Sequence, residues 1–489
     1  MGIVQSQSIR NTLITFFGFG IGAINALFFY TSFLQKEYYG IVSTILSGAN
    51  ILMPIMAFGV QNTIIRFFSQ YETEEKREQF LSFIVFMPLF LIVPLGIGFY
   101  VFYDEIAGVW LQENPSLKPF FWLIPVVGLL MAYFEVFYAW VKVHMQSVIG
   151  NFISEVLVRS LVMVMLLMVH FEVLTKPQFV YGVAFAYLAQ TVGMFIYAMK
   201  VRRPTFTLVI PENIREVVYY STFIIVSGGV AVMLVDFDKV LIPKYKAIEE
   251  NAVYSVAIFF ATVIAVPFRA MTQIVAPITA KLMVEKKWEE LNELYQKTSI
   301  NLQVTGGFIM LLIFVNVNQM YQIVPDDYSG GLWVVFMIGL SKYYDVLLGN
   351  NNSIIVNTHY YRTVLLFGVF TVFLMIVLNA IFIPLYGING SAFATLLTIM
   401  IYNTIKFFFV VKKMKLFPFT AKTGVSLGIV CLGFVLFYFW DFPFHPILNI
   451  GLKSIIVTLF YVGLHYYWKV STEVNQVIRN VAAKFSIHL

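Results

Sequence analysis

The chain has 489 residues, 60% hydrophobic and 12% charged, with 32 Lys and Arg against 26 Asp and Glu and a formal net charge of +6. A mean hydropathy of +0.81 lies far outside the range of soluble domains and leaves no room for a large one, so the composition describes an integral membrane protein. The single cysteine, Cys431, excludes disulfides and a cysteine metal site.

A helix needs ~20 apolar residues to cross the bilayer core. In chain order, hydropathy places fourteen spans at about 10–34, 38–68, 80–103, 118–141, 148–170, 177–199, 216–242, 250–280, 298–322, 330–356, 363–384, 388–411, 420–440 and 447–468. The first follows Arg10 without the short apolar core and cleavage site of a signal peptide, and reads as a retained helix. The second is interrupted by MPIMAFGVQNTIIRFFSQ, Met53–Gln70, which carries Pro54, Gly59, the amides Gln61 and Asn62, and Arg66. Proline and glycine leave backbone carbonyls in need of polar partners, and Asn62 shares a helix face with Arg66; together these describe a cavity wall rather than a packed seam. Taken singly, amides such as Asn25, Asn50 and Asn350 to Asn352 are first of all interhelical glue. Arg66 alone is near enough to the inner surface to snorkel.

An ionisable side chain at membrane depth costs at least ~2.5 kcal/mol, so each needs a partner or a cavity. Glu135 in span four has no partner in its own helix and is left to pair with Arg159 or Arg66, or to titrate as a proton or sodium site. Glu155 and Arg159 in span five stand four apart, in the order that favours mutual neutralisation. Arg269 in span eight precedes Lys281 by twelve residues, ~18 Å of helix, too deep to snorkel easily. Gln273 follows one turn later on the same face, and Pro267 and Pro277 bracket the pair. Asp236 and Asp238 in span seven are the partners Arg269 would have in a purely structural bridge. Asp345 lies in span ten, three residues after Lys342.

With the N-terminus inside, twenty Lys and Arg fall on the inner side, five on the outer side and seven within spans. The positive-inside rule therefore places both termini in the cytoplasm. The pI of about 9.0 then calls for an anionic inner leaflet, with membrane lipids as partners and no nucleic acid.

Aligning Pro54 with Pro267, an offset of 213, superposes two long helices that each lead into a mixed-charge inner loop, YETEEKREQ and VEKKWEELNE. VYGVAFAYLAQTVGMFIYAMK pairs with YGINGSAFATLLTIMIYNTIK at a similar offset. Two six-span halves follow, residues 1–205 and 206–413, with two further helices and a cytoplasmic tail in 414–489. Parallel repeats of this kind characterise secondary transporters with a substrate path between the halves. There is no Walker-type loop, no G-x-S-x-G, no HExxH and no metal-ligand spacing among the six histidines, and the outer loops are short, so no enzyme and no bound cofactor is expected.

The stretch YYGIVSTILSGANILMPIMAFGVQNTIIRFFSQ resembles the second-helix signature of the polysaccharide exporters, flippases of the multidrug/oligosaccharidyl-lipid/polysaccharide superfamily. YGINGSAFATLL, Tyr386–Leu397, resembles their twelfth-helix element. The resemblance implies an all-α membrane protein of MATE-like fold, about fourteen helices in two pseudo-symmetric lobes plus two. It also implies a polyprenyl-pyrophosphate-linked oligosaccharide such as an O-antigen unit as cargo, moved across a bacterial cytoplasmic membrane by a monomer beside glycosyltransferases or a polymerase. Arginines on helices one, two and eight of similar flippases match Arg10, Arg66 and Arg269; with Arg159 they would hold pyrophosphate. Asn62 and Gln273 would contact cargo, and Glu135, Asp236 and Asp345 would couple H+ or Na+ or gate. Asn25 as the main polar residue of helix one departs from the lipid II flippase pattern. The rival expectations are a cation-coupled multidrug exporter of the same fold and a membrane glycosyltransferase.

Overall fold

The computed structural model describes residues 3–203, 209–358 and 360–484, and the regular structure among them is helical throughout. These residues form two compact units, 1–255 and 256–489. The sequence boundary at 205/206 lies outside the described residues.

In unit 1, α1 (Ile3–Ile24) runs into a π turn at Asn25–Phe29. Next come α2 (Lys36–Met56) and α3 (Val60–Phe67), two pieces of one expected span. Pro54 lies near the end of α2, and the chain then turns through Phe58 and Gly59 at φ 52 and 63. Thr63 repairs part of the break, its Oγ1 lying 3.1 Å from the Gly59 carbonyl and 2.7 Å from Ser221 Oγ. Capping follows sequence rules: Thr73 accepts from the Lys76 amide at the start of α4 (Glu74–Phe86). α5 (Leu89–Val101), α6 (Leu123–Val143) and, after a second π turn at Ile153–Leu157, α7 (Val158–His170) continue the unit. A Thr175–Gln178 capping box opens α8 (Lys176–Val201). α9 (Ile214–Tyr245) and the start of α10 (Ile248–Thr262) complete it. Trp140, Phe134, Phe67 and Phe80 build a core cluster of the unit. Arg202, just past α8, is ion-paired to Glu74 and Glu78 of α4.

Unit 2 continues from α10 through a 3-10 turn at Val263–Ala265 into α11 (Val266–Val284). The break precedes Pro267, so both repeats interrupt this helix. α12 (Trp288–Ile323) is the unit's axis: its buried Gln303 donates to the Thr423 carbonyl at 2.9 Å, and its Val304 carbonyl accepts from Tyr461 Oη at 2.9 Å. Around it stand α13 (Leu332–Leu347), α14 (Asn351–Val356), α15 (Tyr361–Met414), α16 (Ala421–Phe437), α17 (Pro446–Tyr467) and the amphipathic α18 (Thr472–Lys484).

Ten helices among the described residues are long and apolar enough to cross a membrane, and eleven if the bent pair within α9 counts as one span. The difference from fourteen has physical causes. Expected spans eleven and twelve are joined as α15 across a kink at Gly387, while α13 and α16 have 16 and 17 residues. Large apolar side chains such as Phe90, Phe439 and Leu459 are exposed along these helices, as a lipid-facing surface requires.

Gly59 sets the test of the break, because a Cβ there would lie 2.6 Å from the Ser221 carbonyl oxygen, on top of the strain of positive φ. Gly59→Ala is expected to destabilise unit 1 by about 2 kcal/mol, read as a lower thermal midpoint, whereas Gly96→Ala, whose Cβ meets nothing, leaves it unchanged.

Candidate functional site

The polar heart of unit 1 is built by two π turns. A π turn admits one extra residue per turn and changes which side chains face a neighbour. At the first, Asn25 Nδ2 donates to the Arg159 carbonyl at 2.8 Å. At the second, Glu155 lies below Arg159, whose Nη1 donates to the Glu155 carboxylate at 2.6 Å and to its carbonyl at 3.1 Å. The guanidinium lies along a glycine face of α1. A Cβ on Gly18 would fall 2.9 Å from Arg159 Nη1, and one on Gly22 would fall 3.3 Å from its Nε. Arg159 Nε and Nη2 make no hydrogen bond among the described residues, and the side chain is 36% exposed. Half of the arginine is satisfied, and half is on offer.

Around this pair the charges alternate. Tyr187 lies within electrostatic reach of both Arg159 and Asp236, and Tyr138 of both Glu135 and Glu155. Lys142 Nζ sits 3.7 Å above the Tyr138 ring. Glu135 is half-buried and makes no hydrogen bond or ion pair among the described residues of its unit. The pairing expected for it with Arg159 or Arg66 is therefore not made there: Glu155, four residues away on the same helix, takes Arg159 first, and Arg66 goes elsewhere.

Arg66 is exposed on α3, its guanidinium 4.2 Å from the centroid of the Tyr220 ring, a cation–π contact with no carboxylate partner among the described residues of its unit. Asn62, one turn earlier, is also exposed. Arg10 is exposed in the N-terminal half of α1, where its neighbour Asn11 donates to Ser147 Oγ at 2.9 Å. The structure places Arg10 four turns of helix from Asn25, apart from the Arg159 cluster.

Asp236 is buried and engaged from several sides. It accepts from Ser47 Oγ at 2.9 Å and from Asn50 Nδ2 at 3.2 Å, and Lys239 Nζ lies 3.6 Å away. The seam continues with Ser43 and Ser255 at 2.6 Å, and with Asn251 donating to Thr44 Oγ1 at 2.8 Å. This row of small polar groups ties α2 to α9 and α10.

In unit 2, Arg269 and Gln273 are both exposed, one turn apart near the start of α11, and Arg269 makes no ion pair among the described residues of its unit. Asp345 of α13 accepts from Asn403 Nδ2 at 3.0 Å. Lys406 lies buried one turn further along α15, 4.1 Å from the Tyr402 ring centroid and in electrostatic reach of Asp345. Sequence reasoning missed Lys406, because a lone lysine a few residues before Lys412 and Lys413 reads as a snorkelling inner-surface cation. It also missed the glycine face of α1, although GFGIG at 18–22 was the available signal.

A family model described as polysaccharide biosynthesis protein matches residues 6–283, more than half of the chain. The chain belongs to that family. None of the curated proteins matches it by sequence. Among solved structures, the lipid II flippase MurJ in an inward-closed conformation is similar at a TM-score of 0.71 and 15% identity, over 94% of this chain and 100% of that one. An inward-facing multidrug resistance transporter of the MATE family is similar at 0.60 and 13% identity, over 86% and 99%. The Vibrio cholerae MATE transporter VcmN follows at 0.56 and 13% identity, over 85% and 98%. At these identities the likeness establishes the fold: this member of the polysaccharide biosynthesis family is a multi-pass membrane protein with the MATE-like architecture. The solved structures that share it are a flippase and transporters, not enzymes.

The glycine face gives a direct test of the Arg159 seat. Gly18→Ala brings a Cβ within 2.5 Å of the Glu155 carbonyl oxygen, whereas Gly20→Ala meets nothing within 4 Å. Gly18→Ala is expected to loosen the ion pair and raise the phenylglyoxal reactivity of Arg159 by about threefold or more, read by mass spectrometry, while Gly20→Ala leaves it unchanged.

Proposed function

We propose that the protein is a flippase that carries a polyprenyl-pyrophosphate-linked oligosaccharide, an O-antigen or other surface-glycan repeat unit, from the cytoplasmic to the outer leaflet by alternating access. The observation that carries this reading is the state of the span arginines. Arg66 in unit 1 and Arg269 in unit 2 are exposed on their helices with no ion pair among the described residues of their own units, and Arg159 keeps an open guanidinium edge. A permanent cation at membrane depth is tolerated where it faces a wet cavity or an anion. Pyrophosphate is an anion whose oxygens accept paired N–H bonds from guanidinium groups, and a low dielectric strengthens each contact.

In this reading Arg66, Arg159 and Arg269 hold the pyrophosphate, Asn62 and Gln273 contact the sugars, and Arg10 meets the cargo at the inner surface. Asp236 is a gating residue, because an opening between α2 and α9 exchanges its bonds to Ser47 and Asn50 for water. Asp345 works against Lys406 within unit 2. Glu135, which makes no hydrogen bond or ion pair among the described residues of unit 1 and has only Lys142 of its own helix within electrostatic reach, is the place for a coupling H+ or Na+. That same unpaired acid is what favours the second reading, a cation-coupled multidrug exporter of the same fold. The proposal further places a monomer in the bacterial cytoplasmic membrane, with both termini inside, lobes at 1–205 and 206–413, an appended 414–489, and glycosyltransferases or a polymerase as neighbours.

Arg269→Ala and Arg159→Ala, expressed at normal levels in cells whose surface glycan depends on this protein, are expected to reduce surface glycan by about tenfold or more and to accumulate lipid-linked repeat unit inside. Arg269→Lys keeps charge but loses the planar fork and is expected to fall between. Unchanged glycan with Arg269→Ala and Arg159→Ala, together with lost drug resistance in Glu135→Gln, would replace the flippase reading with the exporter.

A further inference from the structure

Each repeat carries a pocket at the same place in its chain, between the loop after its second span and the link after its sixth. In unit 1 the pocket has a volume of about 360 Å³ and is lined by the loop at 70–80 and the link at 209–213. In unit 2 it measures about 930 Å³ and is lined by residues of 283–296, 357–360 and 413–416. The offset of 213 read from the sequence carries Tyr71, Lys76 and Gln79 onto Val284, Glu289 and Asn292, and all six line their respective pockets.

The two copies have diverged in a telling way. Unit 1 fills its pocket with its own side chains: Lys76 Nζ lies 3.2 Å from Glu212, and Tyr71 Oη donates to Asn213 Oδ1 at 2.6 Å, so loop and link are clasped. In unit 2 the place of Lys76 is taken by Glu289, and Glu289, Lys413 and Lys415 make no ion pair among the described residues. No ion pair spans the cavity among the described residues, and loop and link are joined only at its edge. Asn292 is instead fixed from the side, its Oδ1 accepting from the Phe417 amide at 2.8 Å, and Gln296 Nε2 donates to the Phe417 carbonyl at 3.2 Å. These bonds hold the two amides in place and leave Asn292 Nδ2 and Gln296 Oε1 for another partner. Trp288 presents a half-exposed indole at the rim.

The lining selects a ligand class. Two ammonium groups suit a phosphate, a flat indole suits the apolar face of a sugar ring, and anchored amides with one free carboxylate suit hydroxyls. A bare polyanion would be repelled by Glu289, and an uncharged sugar would leave the lysines unused. The pocket lies on the side that the positive charges assign to the cytoplasm, the side on which a lipid-linked sugar of the inner leaflet presents its phosphate at the surface and its ring to water.

We infer that this pocket of unit 2 receives the phosphorylated sugar head of the cargo from the inner leaflet, ahead of transport; the inference rests on the flippase reading. Its test uses the full chain in lipid nanodiscs, titrated with a short-chain prenyl-pyrophosphoryl N-acetylglucosamine, with N-acetylglucosamine 1-phosphate and inorganic pyrophosphate as separate probes. Wild type is expected to bind the prenyl probe, with affinity lowered about tenfold in Trp288→Ala and in the double variant Lys413→Gln, Lys415→Gln. The double variant changes only exposed side chains, so its folding is not in question. Affinity unchanged in both variants but lost in Arg269→Ala overturns the pocket and leaves the flippase reading standing. Wild type that binds no prenyl probe overturns both. Binding of the soluble sugar phosphate as tight as that of the prenyl probe overturns the lipid-linked source, and equal binding of pyrophosphate overturns the sugar.

Discussion

Hydrocarbon offers no hydrogen bonds, and nearly every feature of this protein answers to that constraint. Backbone groups are satisfied by helices, and where helices break, side chains take over. The turn at Phe58 and Gly59 is held because the Gly59 carbonyl accepts from both the amide and the hydroxyl of Thr63, and Ser221 meets Thr63 in turn. The seam from Ser43 to Ser255 and Asp236 obeys the same rule with side chains only. Buried Lys453, ion-paired at 2.8 Å with Asp441, shows how completely a span cation can be neutralised when nothing else is asked of it. Against that standard Arg66, Arg159 and Arg269 stand out.

The two repeats solve one geometric problem with different chemistry. Both interrupt the helix that carries the arginine, unit 1 with a left-handed turn before Arg66 and unit 2 with a 3-10 turn before Arg269. Unit 1 surrounds its arginines with glycine, tyrosine and paired acids. Unit 2 places a lysine beside its span acid. An inexact repeat of this kind supplies the same scaffold twice while letting each copy hold a different charge.

Much of this was legible in the sequence, wherever the signal is local. Pro54 and Gly59 announced the helix break, the four-residue spacing of Glu155 and Arg159 announced their ion pair, and the match of Pro54 with Pro267 pointed to a second break, at Val263–Ala265. What was not legible depends on which helix faces which. Tyr220 beneath Arg66 is 154 residues away in the chain, and the Lys406–Asp345 approach joins two helices whose packing no periodicity reports. The number of spans differs for another reason: hydropathy separates residues 363–384 from 388–411, whereas the helix runs through both and only bends at Gly387.

The facing π turns carry a consequence of phase. Each inserts one residue into a helix that otherwise advances about 100° per residue, so Tyr30–Phe33 is rotated relative to α1, and α7 relative to Val148–Phe152. Asn25 and Glu155 sit where the two rotations meet. A shift in either turn by one residue would swing a whole helix end about its axis without lengthening or unfolding it. The first span and α7 thus meet, turn against turn, at Arg159.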